Sequence, residues 1–312
     1  MPMPMPMPTL KRLALNELHA RCADGLNLRL GPFVMRLVGR DRRLAQCLYD
    51  YYPDYPLAPD DSFADGEIRL LGQSLVARVL RRPLCLGLED GVPFTECAPG
   101  ALLAHLEWAI NWCVASRAHH YLMLHAAVIE RNGHALLLPG QPGAGKSTLC
   151  AWLIHRGWRL LSDEFTLIRD CELTIDPLPR LIPLKNESIA LIREQVPAAR
   201  FGPSIPGTRK GTVSHLSPPL DHLRRMAQTA RPRWVVFPQY DADASAEFSA
   251  LHPAECFSQL TQNAFNYTVL GREAFERAGA LTDAVDAWRL RYRNLQQAEA
   301  LLNALTGGSQ TC

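Results

Sequence analysis

The stretch LHAAVIERNGHALLLPGQPGAGKSTLCAWLIHRGWRLLSDEFTLIRD, residues 124–170, decides the fold of this chain. Its centre, Gly140-Gln141-Pro142-Gly143-Ala144-Gly145-Lys146-Ser147, has the spacing GxxxxGK[ST] of a phosphate-binding loop. Ala135–Leu138 before it is an apolar run that reads as a buried strand. Ser147–Arg156 after it carries Leu149, Trp152 and Leu153 on one helical face. A strand on one side and a helix on the other is the context such a loop requires. Glycines let backbone N–H groups close around phosphate oxygens, and the helix N-terminus adds partial positive charge. Lys146 supplies a full charge for the β- and γ-phosphates. Ser147 offers a hydroxyl to Mg²⁺, and Thr148 follows it in the first helical turn. The expected ligands are therefore ATP and Mg²⁺.

Arg159–Ser162 follows as the next apolar strand and ends in Asp163-Glu164. Ligands of open α/β sheets bind beyond the carboxyl ends of strands, so both acids are expected to face the phosphates and the metal. Asp163 is the candidate base for an acceptor hydroxyl. Glu164 is the candidate metal ligand with Ser147, and the two acids are interchangeable in these roles. The chain has neither the LSGGQ of an ABC ATPase nor the NKxD of a GTPase.

Composition sets outer bounds. The chain has 312 residues, 47% of them hydrophobic and 21% charged, as in an ordinary soluble globular protein. A net charge of +2 with scattered arginines argues against nucleic acid as the main partner. Nine cysteines show no CxxC or Cys/His metal pattern, and reduced cytoplasmic thiols are expected. No run of 18 apolar residues predicts a membrane span. MPMPMPMP lacks the basic and apolar regions of a signal peptide, and its prolines deny it regular structure.

Pattern along the chain predicts a mixed α/β protein in two units: a disordered tail over 1–8, an α+β module over 9–97, a P-loop domain over 98–306, and a frayed end over 307–312. In the first unit, 26–31 and 33–39 form a strand pair around Gly31-Pro32, and 63–71, 74–80 and 84–88 are further strands. Leu44–Tyr51 is a helix, Glu89–Pro93 a turn, and Tyr49, Tyr51, Tyr52 and Tyr55 a packing edge. Ala101–Arg117 is a helix whose Trp108 and Trp112 serve the core. Tyr121–Glu130 and His134–Leu138 form a hairpin around Asn132-Gly133 that leads into the loop. Phe165–Arg169 and Glu172–Ile175 form another.

Beyond the acids, Pro177–Pro183 is extended, and Asn186 caps the helix Glu187–Arg193. Lys185, just before that helix, is a candidate phosphate clamp. Ala198–Gly211 reads as a long lid or binding loop, with Arg209 and Lys210 placed to close over the γ-phosphate or dock the acceptor. Trp234–Pro238 is a buried strand paired by 246–251. Pro253–Ala264, Gly271–Gly279 and Asn294–Leu305 are helices, and Trp288–Tyr292 is an edge strand. Asn263-Ala264-Phe265-Asn266-Tyr267 carries amides and aromatics of the kind that frame a base or an acceptor.

His125 in LHAAV, the loop, and RGWRLLSDE together resemble the core of the HPr kinase/phosphorylase family. PLPRLIPLKNESI, GTRKGTVSHL and NAFNYTVLG resemble the HPr kinase-related proteins of the kinase A type found near exosortase systems. The first resemblance covers about residues 120–170 and the second most of the chain. It implies a P-loop kinase domain of the HPr kinase type, with the histidine of the strand before the loop, here His125, in the active site. It also implies γ-phosphoryl transfer to a serine of a small protein or peptide, and homo-oligomer formation stays open. The family closes the second strand with Asp-Asp, where this chain has Asp-Glu. The Glu-Ile-Arg-Gly signature that follows in HPr kinases is missing.

Overall fold

The computed structural model describes residues 8–71, 83–89, 91–97, 99–169, 172–208, 210–243 and 245–307. The strand expected over 74–80, Arg209, and the tails 1–7 and 308–312 lie outside them. The fold is mixed α/β and holds several sheets.

The first part opens with α1 (Leu15–Asp24) and the antiparallel pair β1 (Leu26–Leu30) and β2 (Phe33–Val38). Then come α2 (Arg42–Tyr51), β3 (Gly66–Leu70), β4 (Leu84–Leu88) and β5 (Gly91–Cys97). The five strands form one sheet in sequence order, with β2 and β3 parallel. The turn expected over Glu89–Pro93 is shorter than its Gly and Pro suggest, because Gly91 already pairs with Leu88 and starts β5.

The helix α3 (Leu102–Arg117) packs against this sheet, burying Leu106, Ile110 and Cys113. Its Trp112 is exposed, contrary to the core role expected for it, while Trp108 is half-buried. The two indoles are four residues apart, about 400° around a helix, so they share a face only roughly, and that face turns outward from Trp108 onward.

The second part is built on β6 (Leu122–Arg131) and β7 (His134–Pro139), antiparallel around Asn132-Gly133. After β7 come α4 (Lys146–Leu153), β8 (Arg159–Ser162), β9 (Phe165–Ile168) and β10 (Ile175–Asp176). A small sheet follows, with β11 (Ile182–Lys185), α5 (Glu187–Gln195), β12 (Ile205–Thr208) and β13 (Gly211–Leu216) in strand order β11-β13-β12. The chain ends with α6 (Leu220–Arg224), β14 (Arg231–Tyr240), β15 (Glu247–Ala250), α7 (Pro253–Gln262), α8 (Tyr267–Leu270), α9 (Arg272–Ala284), β16 (Asp286–Tyr292) and α10 (Leu295–Gly307).

The large sheet runs β10-β9-β6-β7-β14-β16-β15, with β8 also on β6. β15 pairs with β16, not with β14 as expected, and β16 is an inner strand rather than an edge. The reason is that β14 is saturated on both sides by parallel partners, β7 and β16. β7 is buried on both faces, which is why it reads as a continuous apolar run. Leu136 and Leu138 point into one core with Leu149, Trp158 and Leu302; Ala135 and Leu137 point into the other with Val235, Leu260 and Leu281. β7, β8, β14 and β16 all run the same way, so their carboxyl ends gather at one rim.

Beneath that rim the buried pair Arg159–Glu130, 2.5 Å apart, ties β8 to β6, and Arg159 also donates to the carbonyls of Arg225 and Gln228. His222 on α6 accepts the Leu160 N–H through Nδ1 at 3.2 Å. Burial pulls His222 down to about 4, against the pull of Asp221. Below an ordinary value near 6.5 the unfolded chain therefore binds a proton that the folded chain refuses, and stability falls as pH falls from 6.5 towards 4. His222→Gln should remove part of that loss. Urea midpoints measured at about pH 7.5 and about pH 5 should differ less for the variant than for the parent protein, and an equal difference would contradict the assignment.

Candidate functional site

The loop between β7 and α4 takes its shape from glycine. Gly140, Gly143 and Gly145 have φ of 147°, 89° and 89°, which side-chain-bearing residues rarely adopt. Gln141, Pro142 and Gly143 are exposed at the tip, while Ala144, Ser147 and Thr148 are half-buried. The Tyr240 N–H donates to the Ala144 carbonyl, 3.2 Å away, and the Tyr292 hydroxyl to that of Gly145, 3.4 Å away. The ends of β14 and β16 thus brace the loop from below.

Lys146 is buried, 7% exposed, rather than free on the loop surface. Its Nζ donates to the carbonyls of Gly140 and Gln141. Burial lowers its pKa, opposed by the nearby Asp163 and Glu164. The lysine head therefore sits inside the loop among carbonyl dipoles, facing two acids.

Those acids interrupt the strand formed by β8 and β9. Ser162 stands opposite Val128 and Phe165 opposite His125, so Asp163 and Glu164 fall beside Ala126 and Ala127 of β6. Asp163 is buried, and neither of its carboxylate oxygens has a well-formed hydrogen bond among the described residues. Burial pushes its pKa up to about 7, Glu164 adding to the rise. Ser147 lies close enough to oppose that rise without reaching hydrogen-bond geometry. Glu164 is half-buried, with Oε1 4.0 Å from His125 Nε2.

His125 is half-buried on β6 and stacks on Phe265, ring centres 5.4 Å apart. Burial lowers its pKa, against the pull of Glu164; Lys146, Lys210 and Lys185 lower it further. Of the amide-rich segment, Asn266 is a structural clip: its side chain accepts the Met123 N–H and donates to the Tyr121 carbonyl.

Lys185 and Lys210 both line a cleft that opens beside Asp163 and Glu164. Asn186 does not cap α5. Its φ is 50°, and its side chain accepts the Thr212 N–H, so it joins α5 to the small sheet instead. The expected loop 198–211 contains β12, whose hairpin with β13 carries Lys210 at its turn; Arg209 is outside the described residues. The alternation there is masked by Pro203, Pro206 and Gly207, which read as loop.

Reading from sequence missed the far side of the cleft. Glu107 and Arg180 form a buried ion pair, Tyr52 donates to Glu107, and Arg180 also donates to Asn111 Oδ1. Two signals were available: a glutamate inside an otherwise apolar helix, and an arginine inside Pro177–Pro183.

The donors at the acid end suit Mg²⁺. They are hydroxyl and carboxylate oxygens, two of which, on Asp163, are buried with no protein partner. Among the described residues no three His, Cys, Asp or Glu side chains converge to hold an ion alone. An ion here would share its coordination with phosphate oxygens, as Mg²⁺ does.

A family model described as SynChlorMet cassette protein ScmC matches residues 101–183, a span that holds His125, the loop, both acids, Glu107 and Arg180. The chain is 30% identical over 86 residues to an HPr kinase/phosphorylase of Lachnoclostridium phytofermentans, covering 27% of this chain and 26% of that protein. It is 35% identical over 83 residues to an HPr kinase/phosphorylase of Leptospira biflexa serovar Patoc, covering 26% of this chain and 24% of that protein. The chain spans about a quarter of the length of these curated relatives. A segment of it is thus kinase-like. No helix among the described residues is long and apolar enough to cross a membrane.

A Cβ at Gly145 would collide with the Tyr292 hydroxyl and lie 3.2 Å from Tyr240 Cβ, at a φ of 89°. Gly145→Ala should lower stability by about 1–3 kcal/mol through this left-handed backbone and contact. Thermal unfolding that matches the parent protein would contradict the loop geometry.

Proposed function

We propose that this protein transfers the γ-phosphoryl group of ATP to an acceptor hydroxyl, a serine of a partner protein or peptide. The observation that carries the reading is the buried, unpartnered Asp163 carboxylate facing the Lys146–Ser147 loop at the mouth of a cleft. An orphaned acid at such a place has a use once a ligand arrives. The similarity of a segment to HPr kinase/phosphorylases supports the same chemistry.

In this reading residues 98–306 hold the site. Amides of Gly140–Ser147 cradle the phosphates, with Gln141, Pro142, Gly143, Ala144 and Thr148 shaping the cradle. Lys146 leaves the Gly140 and Gln141 carbonyls for phosphate oxygens. Ser147 and Glu164 would hold Mg²⁺, which would neutralise charge across the phosphates. Asp163 takes the proton of the acceptor hydroxyl as that oxygen bonds to the γ-phosphorus. The bond from phosphorus to the β,γ-bridging oxygen breaks, and ADP leaves. His125, next to Glu164, steadies the acid pair, and Lys185 and Lys210 screen the transferring group. Catalysis is positioning and electrostatics rather than covalent work.

Lys146→Ala should abolish turnover, since a full charge aimed at the phosphates is worth several kcal/mol in the transition state. Turnover at the parental rate in a folded variant would refute the assignment of the loop. Asp163→Asn keeps size but accepts no proton, so label transfer from γ-labelled ATP should fall by about 10²-fold or more with Mg·ATP affinity little changed. Collapse of binding with transfer preserved would instead make Asp163 the metal ligand and Glu164 the base.

A further inference from the structure

The cleft beside the acids reaches further than phosphate chemistry needs. Its enclosed volume is only about 50 Å³, the rest being open to solvent, and its far wall is α3. Trp108 and Asn111, three residues apart on one face of that helix, line it. Neither belongs to the loop or to the acid pair.

Both side chains are held in place. Arg180 Nη1 donates to Asn111 Oδ1 at 2.5 Å. An arginine can only donate, so the amide oxygen must face it and the NH₂ end must point away. Asn111 is half-buried, and its NH₂ group carries no hydrogen bond among the described residues. Arg180 in turn is pinned by Glu107, and Glu107 by Tyr52. Trp108 rests on Ala101, Ala104 and Ile205 and against the His105 ring, 4.9 Å away. Leu178, Leu181 and Val213 add apolar lining to the cleft. Arg180 Nε and His215 Nδ1, in the same lining, are buried with no hydrogen-bond partner among the described residues.

A donor locked in this way calls for an acceptor oxygen. The neighbouring arginine is already neutralised by Glu107, so nothing there selects an anion. A neutral carbonyl meets the donor without leaving a charge unpaired. An indole shelf in a cleft with apolar lining calls for an apolar side chain. Lys185 and Lys210 lie at the other end, with the acids. A hydroxyl at Asp163, a carbonyl at Asn111 and an apolar group on Trp108 are together what a serine and its chain neighbour present. A free serine or glycerol would fill only the acid end.

We propose that the α3 wall is a docking site for an extended polypeptide whose reacting serine is flanked by a bulky apolar residue, with Asn111 and Trp108 as its specificity determinants. This rests on the phosphotransferase reading above. Asn111→Asp tests it sharply, because the variant keeps an oxygen for Arg180 and replaces the free donor by a second acceptor.

The probes are γ-labelled ATP with a peptide library randomised around one serine, and, in separate reactions, free L-serine and glycerol. Wild-type protein should label peptides with a large apolar residue next to the serine. Asn111→Asp should raise KM for a selected peptide at least about tenfold, the loss of one good hydrogen bond plus a repulsion, with KM for ATP moving less than about twofold. Trp108→Ala should flatten the preference at the flanking position. The inference is overturned if label enters serine or glycerol and no peptide, or if Asn111→Asp leaves the peptide KM unchanged. Lys146→Ala separates the two failures. Lys146-dependent phosphate release without labelled peptide defeats only the docking site; loss of any Lys146 dependence defeats the phosphotransferase reading as well.

Discussion

Lys146 and Asp163 are both buried at one rim of the large sheet, where a charge without a partner costs several kcal/mol. Neither is fully satisfied. The lysine borrows two loop carbonyls, and among the described residues the aspartate has no well-formed hydrogen bond, only the close Ser147 and Cys150. Burial depresses the lysine and raises the aspartate, each shift a measure of how poorly water reaches them. A fold keeps such a pair only if the frame around it is rigid and if a ligand later supplies what is missing.

The frame is visible. β7 and β8 are buried strands on either side of β6 and run the same way, which sets the loop and the acids side by side. Tyr240 and Tyr292 close the loop from the ends of β14 and β16. On the opposite side, the first part of the chain buttresses the cleft. Tyr52 reaches Glu107, the Tyr55 hydroxyl donates to the Pro179 carbonyl at 3.0 Å, and Phe165 and Leu167 share a core with α1–α3. The five-stranded sheet thus bears on the site although it contributes no residue to the acid pair.

Much of this was legible because it depends on local pattern. The loop, its flanking strand and helix, the acids and the hairpin of β6 and β7 all follow from spacing and periodicity over short spans. What was not legible depends on contacts between distant segments. β16 reads as an edge strand because Arg289 and Arg291 alternate with Trp288, Leu290 and Tyr292, yet it is enclosed by β14 and β15. Asn186 carries the residue type of a helix cap, but Thr212, twenty-six positions away, claims its side chain. Lys146 is recognisable as a loop lysine, while its burial depends on where the sheet places Asp163. The Glu107–Arg180–Asn111 array joins residues about seventy positions apart, and only the shape of the cleft gives it meaning.

The central claim is that Lys146 and Asp163 are arranged for the phosphates of a nucleotide. The most direct measurement is a crystal structure of the protein with Mg²⁺ and a non-hydrolysable ATP analogue. The account predicts the triphosphate wrapped by Gly140–Ser147, Lys146 Nζ moved from the Gly140 and Gln141 carbonyls to phosphate oxygens, the ion on Ser147 and Glu164, and the γ-phosphate turned toward Asp163. A nucleotide bound elsewhere, or bound in the loop with Lys146 still on its carbonyls and Asp163 facing no ligand, would contradict it.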